Sequence, residues 1–199
     1  MKKITTTFLI GLALLGFSSC KGDKKDTPQT TEVKTVVIDA SNYGKFVYFS
    51  FEKGTVVTVS DADYNNNLGW DIAFRGHYPR TNGGASGKGQ GGVIKTKELT
   101  FGAVMAIPAG ASWEVDKSIR VAKVNDKGAP IMPPQFEMVP GNVLLQSWLA
   151  SGGHPPHKYD NSIFLVKGAN GKIAKVQMVS FENKHITMRY EYPFTPTKK

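Results

Sequence analysis

From Thr35 onward the chain consists of short runs of β-branched and aromatic residues, separated by Gly, Asn and Asp. This pattern is typical of antiparallel strands joined by turns. It predicts strands at TVVIDA, KFVYFSF, TVVTVS, WDIAF, GVIKTK, SIRVAKV, SIFLVKG and KIAKVQMVSFEN. The last two runs are joined by GANGK, whose Asn-Gly pair favours a tight hairpin turn.

The final strand, HITMRYEY, has the clearest period of two. Its apolar residues fall on one face by parity: Ile186, Met188, Tyr190 and Tyr192. His185 falls on the opposite, polar face and is predicted to be a surface histidine. Only VLLQSWLA, from Val143 to Ala150, can be a helix. The predicted fold class is therefore all-β, with packed antiparallel sheets and few short helical segments, in one domain over residues 33–199.

The first 20 residues predict export. Lys2 and Lys3 precede a short apolar run that ends in small residues before Cys20, which indicates a signal peptide over residues 1–19. Cys20 is the single cysteine of the chain, so an intramolecular disulfide is excluded. Its position resembles a bacterial lipobox, which implies lipid attachment and a membrane anchor. Residues 20–32 are polar and predict a flexible tether.

The formal net charge of +9 comes from 25 basic and 16 acidic residues. Neither a basic helix nor a basic-aromatic array accompanies this charge, so nucleic acid is not the expected partner. An anionic small molecule or an anionic outer surface suits the charge better.

The sequence motifs of common enzymes are either absent or lack the neighbouring strands and helices that they need. The run GKGQGG at residues 87–92 matches G-x-G-x-x-G, but no strand precedes it and no helix follows, so nucleotide binding is rejected. Residues 83–92 are instead predicted to form a long flexible loop. No G-x-S-x-G is present for a serine nucleophile. His154 and His157 form the only close histidine pair, which is weak support for zinc.

The segment from Ile131 to Tyr159 has no clean strand alternation and collects potential metal ligands. Met132 and Met138 lie among turn-forming residues, and a thioether there can bind iron or copper. Simple packing of these methionines and exposed loop histidines at 154 and 157 are the alternatives. Met105, Met178 and Met188 are predicted to be core residues.

Several long blocks of this sequence are similar to one family. They are TVVIDASNYGKFVYFSFEKGTVV, WDIAFRGHYPRTNGG, SGKGQGGV, FLVKGANGKIAKVQ and the closing RYEYP. In their order they resemble the HmuY-like haem-binding lipoproteins of Bacteroidetes, over nearly all of the chain after the signal. The resemblance implies an all-β haemophore rather than an enzyme, anchored at the outer membrane or shed. It also implies haem capture from host haemoproteins, delivery to a TonB-dependent receptor, and a possible homo-oligomer.

The resemblance further implies that two segments supply the axial ligands of haem iron. We call residues 127–138 arm one and residues 154–159 arm two. Arm one contains no histidine, so its candidates are Met132 and Met138; arm two offers His154 or His157. The expected iron is low-spin, with at least one sulfur ligand.

Cationic residues near these arms are candidates for the haem propionates and rim. Arg75, Arg80 and Lys158 suit carboxylates, and His77, in the block GHYPR, is interpreted as a loop histidine near the rim. A second hypothesis is a surface lipoprotein that binds host glycan or protein through exposed aromatic residues such as Tyr43, Trp113 and Trp148.

Overall fold

The computed structural model describes residues 31–197. The predicted signal peptide, Cys20 and most of the tether lie outside these residues. The strands are β1 (Val33–Asp39), β2 (Val47–Ser50), β3 (Thr55–Val57), β4 (Ile72–Arg75), β5 (Tyr78–Thr81), β6 (Gly92–Lys95), β7 (Lys117–Ala122), β8 (Phe136–Gly141), β9 (Ile163–Lys167), β10 (Ile173–Glu182) and β11 (His185–Glu191). One helix, α1 (Val143–Gln146), and two 3₁₀ turns, Gly84–Ser86 and Phe101–Ala103, complete the described elements.

All strand pairs are antiparallel, and they form three sheets. The five-stranded sheet has the order β1-β11-β10-β9-β6, and the four-stranded sheet has the order β3-β2-β4-β5. β7 and β8 pair only with each other, and we call this two-stranded sheet the ribbon. The predicted all-β class is confirmed. Among the described residues, no helix is long and apolar enough to cross a membrane.

The main core joins the two larger sheets. Phe49, Ile72 and Phe74 of the four-stranded sheet pack in one cluster with Met178 and Met188 of the five-stranded sheet. β9 is buried on both faces, because its alternate residues enter this cluster and a second one. The predicted parity of β11 is confirmed, since Ile186, Met188 and Tyr190 are all buried. His185 is at the surface, as predicted.

Two strands were not predicted, and both contain proline. β5 includes Pro79 and lies at the edge of the four-stranded sheet, where a missing N–H is tolerated. β8 includes Pro140 near its end and pairs on one side only. Part of the segment that lacked clean alternation is therefore a strand.

The predicted helix over Val143–Ala150 is too long. Asn142 caps α1 by accepting a hydrogen bond from the Leu145 N–H at 2.9 Å, and the helix ends at Gln146. Trp148 and Leu149, beyond the end of the helix, belong to the main core.

Residues 83–92 form a loop up to the start of β6, as predicted, and this loop is closely packed. Asn82 is completely buried, and the backbones of Gly87, Gly89 and Gly91 pack directly against it. A Cβ on Gly87 would lie 2.2 Å from Asn82 Oδ1, so glycine is required here for close approach. The Asn82 side-chain amide donates to the carbonyls of Asn67 and Trp70, which fixes the loop on its other side.

The core assignment of Met178 and Met188 is confirmed, but that of Met105 is wrong. Met105 is 59% exposed. TFGAVMAI contains a 3₁₀ turn rather than a strand, and this turn points Phe101 and Val104 inward while Met105 points outward.

Candidate functional site

The ribbon carries the end of arm one and has two different faces. On its inner face, Ile119, Val121 and Val139 pack against Tyr78 of β5. Alternation along each strand places the neighbouring residues on the outer face. There Met138 lies directly opposite Arg120, and Phe136 lies opposite Ala122. Phe136 is 42% exposed and Met138 is 61% exposed, so the outer face presents apolar side chains to solvent.

A groove of about 490 Å³ runs along this outer face. It is lined by Arg120, Lys123, Pro134, Gln135, Phe136, Glu137 and Met138. The Arg120 guanidinium lies 3.7 Å from the centroid of the Phe136 ring. Met132 is 78% exposed and does not line the groove. The structure therefore distinguishes the two methionines of arm one, because Met138 lines this groove and Met132 does not.

Arm two follows Gly152 and Gly153, both of which have positive φ. His154 is exposed, whereas His157 is half-buried, with its ring 5.5 Å from Phe181 and 6.4 Å from Tyr159 between centroids. The Nδ1 atom of His157 is buried and has no hydrogen-bond partner among the described residues. Lys158 is exposed, so its side chain is accessible to an anion in solution.

His77, in the turn between β4 and β5, lies in the interior. It is a loop histidine, as predicted, but it is only 6% exposed. Its ring packs 4.0 Å from Tyr78 and 5.9 Å from Phe181 between centroids, and a Cβ on Gly153 would lie 2.3 Å from His77 Cε1. Arm two thus rests on His77, while the ribbon rests on Tyr78. The last residue of this turn, His77, and the first residue of β5, Tyr78, therefore support both arms.

Burial lowers the pKa of His77 to about 4, and repulsion from His154 and His157 acts in the same direction. The imidazole of His77 is therefore neutral at neutral pH. Its Nδ1 atom has no hydrogen-bond partner among the described residues. His154 and His157 thus lie close enough to His77 to affect its pKa. Within residues 31–197, however, no group of three or more His, Cys, Asp and Glu side chains is arranged to hold a metal ion.

Arg75 is buried, and its side chain donates hydrogen bonds to groups of the same chain. Its guanidinium donates to Glu137 at 2.7 Å and to the Ala122 carbonyl at 3.2 Å, and it also donates to the carbonyl of Tyr43. Ala122 belongs to β7 and Glu137 to β8. Arg75 therefore attaches both strands of the ribbon to β4, a role that the sequence did not indicate.

Arg80 is buried as well. Its guanidinium lies 3.6 Å from the Phe46 ring centroid and 4.0 Å from that of Tyr64, and it donates to the Tyr48 hydroxyl. Burial lowers the pKa of Arg80 from its usual value. This charge stabilises an aromatic cluster within the four-stranded sheet.

Trp148 is 1% exposed, so its prediction as an exposed binding aromatic is wrong. It packs in the main core, stacks on Tyr159 at 6.2 Å and donates its indole N–H to the His77 carbonyl at 3.1 Å. Trp113 is half-buried, with the Lys167 ammonium 4.4 Å from its ring centroid. Tyr43 is half-buried as well and packs against the main core.

Sequence reasoning missed the groove residues Arg120, Lys123 and Phe136. A usable signal existed, because Arg120 alternates with the apolar Ile119 and Val121 in SIRVAKV. The alternation of β8 places Phe136 and Met138 on the same face. The groove becomes recognisable only when SIRVAKV, which contains β7, is paired with the segment that forms β8.

The fold is all-β, and the ribbon presents the Met138 thioether and two cationic side chains at an open groove. The family model described as HmuY protein matches residues 42–192. The chain belongs to this family. No curated protein matches the chain significantly.

Solved structures share the fold. A candidate HmuY-like heme-binding protein of Bacteroides vulgatus is 26% identical, with a TM-score of 0.62, and the match covers 85% of this chain and 96% of that one. An apo HmuY analog of Tannerella forsythia is 23% identical, with a TM-score of 0.63, covering 85% and 98%. A candidate lipoprotein of Bacteroides fragilis is 22% identical, with a TM-score of 0.61, covering 85% and 96%.

Proposed function

We propose that this protein binds haem between its two arms and acts as a haemophore without turnover. One observation carries the proposal: in a chain of the HmuY family, Met138 is exposed in a groove that Phe136 and two cationic side chains also line. Thioethers are good ligands for haem iron, and a large exposed apolar residue in a concave site favours ligand binding.

The side chains fit the chemical demands of haem, which has a flat apolar ring, two carboxylates and an iron that takes axial ligands. Phe136 and Met138 offer apolar contact to the ring. Arg120 and Lys123 offer positive charge at the same groove. Bound haem would supply the iron that the arm residues ligate.

In arm one, Met138 is the better axial candidate, because Met132 does not line the groove. In arm two, His154 and His157 both remain candidates. His154 is exposed, and His157 has a buried Nδ1 without a partner among the described residues. Methionine–histidine ligation raises the reduction potential of haem, so we expect the ferrous state to be favoured.

The buried His77 supports arm two rather than ligating iron. It is neutral and packed against Gly153, so it holds the position at which arm two begins. Arg75 acts similarly on the other side, since it fixes both strands of the ribbon. Arg80 is enclosed by aromatic rings, and Lys158 is exposed and available to a propionate.

We further propose a lipid-anchored protein of the outer membrane that takes haem from host haemoproteins and passes it to a TonB-dependent receptor. The Bacteroides vulgatus relative, a candidate heme-binding protein, and the Bacteroides fragilis relative, a candidate lipoprotein, support this assignment. The position of Cys20 after an apolar leader also supports it.

Titration of the protein from residue 20 onward with haemin, oxidised and then reduced, tests the proposal. A sharp Soret shift that saturates at one equivalent is the expected result. An unshifted haemin spectrum, together with binding to a glycan or protein array, would instead support the surface-adhesion hypothesis. Burial of Trp148 and the half-burial of Trp113 argue against that alternative.

A further inference from the structure

The groove on the outer face of the ribbon carries two cations that are paired with no carboxylate of the described residues. Within residues 31–197, neither Arg120 nor Lys123 takes part in an ion pair. The one acidic residue lining the groove, Glu137, is already paired with Arg75 at 2.7 Å. The groove therefore has an excess of positive charge, which favours an anionic occupant.

The positions of both cations are fixed by the backbone. Arg120 lies in β7 opposite Met138. Lys123 continues the pairing beyond β7, since its N–H donates to the Gln135 carbonyl at 2.8 Å and its carbonyl accepts from the Ile131 N–H at 3.0 Å. Both residues thus lie on backbone that is hydrogen-bonded to a neighbouring strand. Such backbone positions a binding side chain more precisely than a loop does.

The apolar part of the groove adjoins the charges directly. The Arg120 guanidinium stacks on the Phe136 ring at 3.7 Å, which leaves the N–H groups in its plane able to donate to a carboxylate. Met138 lies beside it, 61% exposed. Such a surface matches a flat apolar molecule that carries carboxylates along one edge.

We propose that Arg120 and Lys123 bind the two propionate carboxylates of a porphyrin whose ring lies over Phe136 and Met138. This inference rests on the proposed haem-binding function and names its recognition residues. It assigns to them the role for which Arg75 and Arg80 were candidates, because Arg75 is buried and paired with Glu137, and Arg80 is buried among aromatic rings. Charge-assisted hydrogen bonds to carboxylates are strong enough to set affinity.

Metal-free protoporphyrin IX and its dimethyl ester, in the same dilute detergent, separate carboxylate recognition from iron ligation. Fluorescence titration compares the wild type with the double variant Arg120→Gln/Lys123→Gln. A matched control is Arg189→Gln/Lys172→Gln, which removes the same charge on the five-stranded sheet and its adjoining turn. Arg189 also stacks on an aromatic ring, with Phe101 4.8 Å away. Haemin titration of all three proteins runs in parallel.

The double variant should bind the diacid about tenfold more weakly, as expected for lost hydrogen bonds to charged groups. The control should bind it like the wild type, and the ester should bind equally to all three proteins. Added salt should weaken diacid binding by the wild type.

Other results overturn the inference in distinct ways. Equal binding of the diacid by the wild type and the double variant contradicts it, and so does an equal loss in the control. Haemin binding without any binding of the metal-free diacid also contradicts it while leaving the proposed function in place. Absence of both haemin and porphyrin binding by the wild type overturns the proposed function itself.

Discussion

The Arg75 guanidinium lies 2.7 Å from the Glu137 carboxylate and joins the four-stranded sheet to the ribbon. The Arg75 side chain is 9% exposed and that of Glu137 is 38% exposed, so the pair is only partly screened by water. Because Glu137 also lines the groove, this contact links the position of arm one to the body of the protein.

Replacing Glu137 by Gln should reduce the free energy of unfolding by about 1–2 kcal/mol, because a buried cation loses its charged acceptor. Urea denaturation measures this loss. Glu114→Gln is a matched control, because Glu114 is similarly exposed at 35% but pairs with Lys117, which is 63% exposed. The control should cost less than about 1 kcal/mol. Equal losses in the two variants would show that Arg75 does not depend on Glu137.

The buried His77 should make stability depend on pH. Its pKa is about 4 in the folded protein and 6.5 when unperturbed, so between these values the unfolded chain binds a proton that the folded chain excludes. Stability is therefore full above pH 6.5 and falls as the pH decreases toward 4, by about 3 kcal/mol in total. Below pH 4 this contribution changes no further.

Chemical denaturation at a series of pH values measures this dependence. The His77→Gln variant should show a flatter profile between pH 6.5 and 4 than the wild type. His185→Gln, at the surface, should keep the wild-type profile because His77 is still present. An unchanged slope in His77→Gln would mean that another group causes the acid sensitivity.

Arm two should be sensitive to a methyl group at Gly153 but less so at Gly152. Both glycines have positive φ, so alanine costs about 1–2 kcal/mol of backbone strain at either position. A Cβ at Gly153 would meet the His77 ring, 2.3 Å from Cε1, whereas a Cβ at Gly152 would meet nothing within 4 Å among residues 31–197. Gly153→Ala should therefore be about 1–3 kcal/mol less stable than Gly152→Ala. Thermal or urea unfolding of the two variants decides the matter, and equal stability would contradict the packing of arm two on His77.

The sequence predicts the strands whose side chains alternate or are continuously apolar. β11 is the clearest case, with Ile186, Met188 and Tyr190 buried on one face. β5 and β8 escaped prediction because Pro79 and Pro140 interrupt the local pattern, although edge and ribbon positions tolerate them. Local propensity does not reveal which strand edge is left unpaired.

The candidate site was only partly predictable for a similar reason. The ligand types on the arms can be read from the chain, and Met138 has the exposed position that a ligand needs. The burial of Arg75, Arg80 and His77 could not be read, because it depends on sheets that meet only in the folded protein. The basic residues of the groove are recognisable only after β7 and β8 are paired.

The most direct test of the central claim is the absorption spectrum of the haem-loaded protein in which Met132 and Met138 are both replaced by alanine. If Met138 ligates the iron, the low-spin, sulfur-ligated spectrum should be lost in this variant and in Met138→Ala alone, while Met132→Ala should retain it. Met105→Ala, which removes another exposed methionine outside the arms, should also retain it. A wild-type spectrum in the double variant would contradict ligation of haem iron by arm one.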